Sequence, residues 1–233
     1  MLKTRVIPVL TIKNERLVKS VRFADHRNIG SYIAAVRVFN ARDVDELIFL
    51  DLDAQTRGIR PDLLHEVTKE CFMPVTLGGG VRSVEDIQTL LNCGADKVSI
   101  NTAALETPEL INAGAKRYGS QCIVVSIDVR DDIAGAVARA KEAQARGAGE
   151  LLLTSIIRDG VMEGYDLPLI QAVSGAVSIP VIACGGAGTV AHCVDAVQSG
   201  AAAVGAASIF QYTQTTPQMI KKALAEAGIP ARV

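Results

Sequence analysis

The chain has 233 residues, 49% of them hydrophobic and 21% charged, which is enough to bury one large core. Its formal net charge of -1 gives no electrostatic basis for binding nucleic acid or an anionic membrane surface. No leader is visible and no run approaches the roughly 18 to 20 apolar residues of a membrane span, so a cytoplasmic protein is expected.

In chain order, the strand-like runs are "RVIPVL" (5–10), "ELIFLD" (46–51), "MPVTLG" (73–78), "KVSIN" (97–101), "CIVVSID" (122–128), "ELLLTS" (150–155), "IPVIAC" (179–184) and "AAVGAAS" (202–208). Amphipathic stretches lie between them, such as "SVEDIQTLLNCGA", "DIAGAVARAKEAQARGA" and "TVAHCVDAVQSGA", with apolar residues at steps of three and four and glycine near the C-terminal ends. Continuous β-branched runs are what a parallel sheet covered by helices requires. Eight strands alternating strictly with eight helices predict one closed (β/α)8 TIM barrel, a single domain over residues 1–233.

The chain also repeats itself. A constant shift of 106 residues carries Pro74 to Pro180, Gly79 to Gly185, Gly80 to Gly186, Gly94 to Gly200, Val98 to Val204 and Thr102 to Ser208. Two similar half-barrels, each contributing a βαβα segment, account for this.

In such a barrel the active site lies at the C-terminal ends of the strands. The glycine turns "GGGVRS" and "GGAGT" fall there, each leading to a helix N-cap candidate, Ser83 and Thr189. Glycine lets backbone N–H groups approach an anion, and a helix N-terminus adds positive potential. The following strands end in Asn101-Thr102 and Ala207-Ser208, which complete two candidate phosphate cradles. A small-molecule substrate with a phosphate at each end is the partner this predicts. Asp51, Asp128 and Asp159 stand at the same rim, as acid/base candidates or as loop-capping carboxylates. At the opposite end Arg5, Glu46, Lys97 and Glu150 each stand at the start of a strand, forming either a charged ring across the barrel floor or a structural ion-pair cluster. The five cysteines show no CxxC spacing and the three histidines are scattered, so no metal, cofactor or disulfide is expected.

"DELIFLD", "GADKVSINTAA", "GSQCIVVSID", "RGAGELLLTS" and "CGGAG" together resemble the HisF family, the cyclase subunits of imidazole glycerol phosphate synthase, over essentially the whole chain. The related isomerase family shares the fold but matches "SINTAA" and "RGAGELLLTS" less well. The resemblance implies that a HisH-type glutaminase docks at the barrel floor. Its ammonia would pass a gate formed by Arg5, Glu46, Lys97 and Glu150 and rise through the barrel to a phosphorylated substrate. Asp96, beside the gate, is implied to face the partner. The phosphate sites map onto Gly79, Gly80, Asn101 and Thr102, and onto Asp159, Gly160, Gly185, Gly186, Ala207 and Ser208. Of the family's two catalytic aspartates, the fifth-strand one is Asp128, whereas the first-strand position holds Thr11. Lys19 is retained, and with Asp128, Thr11 and Asp51 it makes up the expected catalytic set.

Glu15 and Ser20 replace glycines usual in the family, and the insertion common after the fifth strand is missing from "SIDVRDDIAGAV". "MLKTRVIP" and "ECFMPVTLGGGVRS" resemble the AglZ-type branch, linked to acetamidino sugars of surface polysaccharides, in which the barrel helps supply ammonia to an amidine-forming sugar amidotransferase. The expected function is therefore an ammonia-using synthase subunit of that branch. An orthodox histidine-pathway cyclase and a non-catalytic ammonia conduit are the alternatives.

Overall fold

Apolar β-branched runs alternating with amphipathic stretches are buried on both faces only as parallel strands under a layer of helices. The computed structural model, which describes residues 3–233, has that architecture. Its strands are β1 (Arg5–Lys13), β2 (Arg16–Val21), β3 (Ala24–Gly30), β4 (Leu47–Asp51), β5 (Val75–Gly78), β6 (Lys97–Ile100), β7 (Ile123–Val129), β8 (Glu150–Ser155), β9 (Val181–Cys184) and β10 (Ala203–Ala206). β1 and β4 to β10 run parallel, and β10 pairs back onto β1, which closes the barrel. The closing register runs from Arg5 opposite Ala203 to Pro8 opposite Ala206. The other side of β1 pairs Val9 with Ile48 through to Ile12 with Asp51.

Side chains alternate along each strand, so the barrel has two cores. Val6, Leu10, Phe49, Leu77, Val98 and their like point outward into the large cluster beneath the helices. Ile7, Val9, Ile48, Val124, Leu152 and Ile182 form a second cluster that fills the lumen. Counting by twos along the inward register therefore runs from the charged floor to the rim: Arg5-Ile7-Val9-Thr11, Lys97-Ser99-Asn101 and Glu150-Leu152-Thr154.

The half-barrel repeat extends to element boundaries. Shifted by 106, β5, the helix Val84–Asn92, β6 and the short helix Thr102–Glu106 coincide at both ends with β9, Val190–Gln198, β10 and Ser208–Tyr212. At the base, the buried Lys221 of the helix Pro217–Glu226 pairs with Asp45 at 2.9 Å and donates to the Asp43 carbonyl at 2.9 Å, which fastens the C-terminal helix beneath β4.

The expected strict alternation passes over one feature. Between β1 and the first helix, Tyr32–Ala41, the chain forms the antiparallel ribbon β2–β3, hydrogen-bonded onto the upper half of β1. Its turns lack the glycines that announce a hairpin: Asn14 and Glu15 (φ 49° and 55°) and Arg22 and Phe23 (φ 54° and 63°) all adopt positive φ. Left-handed backbone costs a non-glycine residue about 1–2 kcal/mol. Glu15 offers little in return, since its contact with Arg60 at 3.3 Å is solvent-exposed. Glu15→Gly should therefore raise the thermal midpoint by about 1–3 °C, after glycine's larger unfolded-state entropy is deducted. An unchanged or lower midpoint by calorimetry would show that the turn is unstrained.

Candidate functional site

The strand ends open onto a cavity of about 390 Å³, lined by Thr11, Lys19, Asn101, Asp128, Asp159, Gly160, Gly185, Gly186, Ala207 and Ser208. A second cavity of about 440 Å³ lies beside it, lined by Gly79, Gly80, Arg82, Thr102 and Asp51. Leu50, Leu52, Gln55, Asn101 and Ser126 border both. The two glycine turns thus face adjoining halves of one barrel mouth.

Both turns are steric necessities. Gly79 (φ 111°) packs against the Asp51 carbonyl at the end of β4, and Gly185 (φ 89°) against the Ser155 carbonyl at the end of β8; a Cβ at either would collide with backbone. Each turn feeds a capped helix. Ser83 accepts from the Asp86 N–H in a full capping box, and Thr189 accepts from the His192 N–H. Beside the second turn Ser208 is buried, and among the described residues its hydroxyl has no hydrogen-bond partner. An unmade hydrogen bond there costs about 1–3 kcal/mol, so the side chain is suited to an incoming oxyanion.

Asp128 ends the inward register of β7. Its carboxylate accepts from Asn101 Nδ2 at 2.6 Å. Burial pushes the carboxyl above its ordinary range, against the opposing hydrogen bonds from Asn101 and Thr154 and the charge of Arg139. Thr11 reaches the same cavity from β1, but its hydroxyl donates to the Val18 carbonyl at 2.8 Å and so ties the hairpin to the barrel. Lys19, on β2, is buried against Asp159 at 2.8 Å, and Ser20 donates to the other Asp159 oxygen at 3.3 Å. The Arg22 N–H adds a bond to the Asp159 carbonyl at 2.8 Å. Asp159 is therefore the anchor of the hairpin as well as a wall of the second cradle.

Asp51 stands apart from this group. Its register on β4 points outward from the lumen, and its carboxylate is clamped by Arg60 at 2.8 Å and by the Asp53 N–H at 2.9 Å. That arrangement makes Asp51 a brace for the loop under Gly79. Residues absent from the expected set also line the main cavity: Lys13 from the end of β1, Phe23 and His26 from the hairpin, and Thr154 and Cys184 from β8 and β9. Thr154 is readable by stepping two and four residues on from Glu150, and Lys13 by stepping two on from Thr11, but Phe23 and His26 on the hairpin carry no such signal.

At the floor Arg5, Glu46, Lys97 and Glu150 form a closed ring. Arg5 pairs with Glu46 at 2.7 Å and with Glu150, and Lys97 pairs with Glu46 at 2.9 Å and with Glu150 at 2.8 Å. Above it the Thr76 hydroxyl donates to Glu46 at 2.9 Å, and Ser99 and Ser126 share a hydrogen bond of 2.7 Å. Asp96 is exposed beside the ring, and one of its oxygens accepts from the Val75 N–H at 2.8 Å. Among the described residues, no cluster of three or more His, Cys, Asp or Glu side chains is arranged to hold a metal, and no helix is long and apolar enough to cross a membrane.

Residues 5–216 match the family described as histidine biosynthesis protein. The imidazole glycerol phosphate synthase subunit HisF of Caulobacter vibrioides (strain NA1000 / CB15N) is 48% identical over 253 residues, covering 100% of this chain and 97% of the relative. The subunit of the same name from Hyphomonas neptunium (strain ATCC 15444) is 49% identical over 251 residues, covering 100% of this chain and 99% of the relative. Those alignments are longer than the 233 residues here, so the relatives carry segments that this chain lacks.

Proposed function

The chain belongs to the histidine biosynthesis protein family and, within it, to the HisF group, and we propose from this that it is the synthase subunit of an imidazole glycerol phosphate synthase-type complex. In this reading it uses ammonia from a HisH-type glutaminase to act on a substrate with a phosphate at each end. One observation carries the reading: a single inward register links the charged ring at the floor to a mouth with two symmetry-related cradles. Ammonia is neutral and small, and the hydroxyls of Thr76, Ser99 and Ser126 offer it polar contacts within an otherwise apolar lumen. The Gly79/Thr102 and Gly185/Ser208 cradles would hold the phosphates, with Asp128 between them as the proton-transfer carboxylate.

A second, finer reading has its own support. Thr11 leaves the first strand without a carboxylate, which favours a paralogue serving acetamidino-sugar synthesis through an amidine-forming amidotransferase. A conduit without catalysis is disfavoured by the half-buried carboxyl of Asp128, held above its ordinary range in the cavity at the strand ends.

The deciding experiment supplies the cyclisation substrate with saturating ammonium at mildly alkaline pH and follows imidazole glycerol phosphate. Enzymatic turnover supports the histidine-pathway role. No product, with the substrate still raising the thermal midpoint, supports the paralogue. A ligand at a hundredfold excess over its Kd stabilises by about 2.7 kcal/mol. Absence of both turnover and stabilisation would overturn the bis-phosphate site itself.

A further inference from the structure

We propose that His26, on β3 of the hairpin, is the second proton-transfer residue of the main cavity, working with Asp128 where Thr11 supplies no titratable group. The inference rests on the reading of this cavity as the reaction site of an ammonia-using catalyst.

The ionisable groups that line the cavity are Lys13, Lys19, His26, Asp128, Asp159 and Cys184. Lys19 and Asp159 are buried against each other, and Ser20 holds the second Asp159 oxygen, so this pair is committed to fastening the hairpin. Burial pushes the Cys184 thiol up to about 12, which keeps it protonated across the neutral range. Lys13 supplies a cation at the rim. Thr11 has a hydroxyl that is bound to the Val18 carbonyl, and an alcohol does not exchange protons near neutrality as a carboxylate does. That leaves Asp128 and His26.

His26 fits the task in three ways. It lines the same cavity as Asp128. Its imidazole makes no hydrogen bond to any described residue, so either ring nitrogen is available to a ligand. It sits in a ribbon whose anchors, the Lys19–Asp159 pair and the Thr11–Val18 bond, fix that ribbon over the mouth. The charged groups around it come from every neighbouring element: Lys13 on β1, Lys19 on β2, Asp25 on β3 and Asp159 after β8. Burial first, and then the two lysines, hold the imidazole below its usual range, against the two aspartates. Burial and the two lysines thus disfavour the protonated ring, which leaves a ring nitrogen to accept a proton from a ligand. Asp128, held above the usual carboxylate range, is matched to it from the other side.

The test compares wild type with His26→Gln and His26→Ala in ammonia-dependent imidazole glycerol phosphate formation. His26→Gln should lower kcat by about 10²-fold while KM stays within about twofold, and should shift the acid limb of the pH profile. Added imidazole should partly restore His26→Ala, a rescue that a merely structural role would not give. Wild-type turnover with an unchanged pH profile in both variants overturns the proposal. A wild type that forms no product counts against the functional reading alone, and His26 is then judged by NMR titration with and without saturating inorganic phosphate. A ring that faces the ligand titrates higher when the dianion is bound; identical titrations overturn the assignment.

Discussion

Asp128→Asn is expected to lower ammonia-dependent turnover by about 10²- to 10⁴-fold while leaving the thermal midpoint unchanged or slightly raised. The two effects separate because of the environment of the carboxyl. Its folded-state value lies above the ordinary one, so folding favours the protonated form, and at neutral pH the ionised group detracts from stability. Asparagine keeps the shape and an oxygen to accept from Asn101 Nδ2, and it removes the charge that burial opposes. A conduit would lose nothing on this substitution, because the proposed path of ammonia through the lumen lies below the residue. Equal ammonia delivery and equal product formation by the variant would therefore eliminate Asp128 as a catalytic group.

The companion variant is Thr11→Asp. It removes the hydrogen bond to the Val18 carbonyl and sets a carboxylate beside that oxygen, so it should loosen the hairpin at a cost of about 1 kcal/mol. It also restores a second carboxylate to the inward register opposite Asp128. Higher turnover of the histidine-pathway substrate, despite the lower stability, is the expected result. The gain should be larger in the His26→Gln background, where the cavity otherwise has one proton carrier.

What the sequence disclosed follows the physics of each element. Parallel barrel strands are buried on both faces, so their β-branched runs are nearly continuous and all eight were readable. The two glycine turns were readable because Gly79 and Gly185 tolerate no side chain against the carbonyls of Asp51 and Ser155, and that constraint writes glycine twice at the same spacing. The hairpin was hidden because its turns use Asn14-Glu15 and Arg22-Phe23 where hairpins usually announce themselves with glycine. With it went Phe23 and His26, which reach the cavity only through the ribbon's return over the mouth. The placement of Asp51 was hidden for a related reason. "FLDLDA" places a carboxylate at a strand end, but odd-numbered residues of β4 point away from the lumen, and Arg60 is nine residues further along the chain. A strand-end carboxylate's register decides which cavity it borders: Glu46, Ile48 and Leu50 face the lumen, and Asp51 borders only the second cavity.

That floor carries the second large effect. Glu150 is buried between Arg5 and Lys97, so Glu150→Gln leaves two partly buried cations sharing Glu46 alone. Removing one partner from a buried ionic network costs about 3 kcal/mol, a fall in thermal midpoint of roughly 6–12 °C for a chain of this size. The pH dependence has a definite sign. Burial by itself would raise the Glu150 carboxyl, but the hydrogen bonds and charges of Arg5 and Lys97 outweigh it and hold the group below its ordinary value. A depressed carboxyl contributes its full stability above the unfolded-state value, about 4.3 for glutamate, and loses it as the pH falls through the lower folded-state value. Wild type and Glu150→Gln should therefore differ most above about pH 5 and converge in stronger acid. Melting curves recorded from pH 7 downward test this directly. A difference that stays constant across the range would mean that Glu150 holds the floor by packing and not by charge. The proposal that the ring is a charged passage for ammonia would then lose its support.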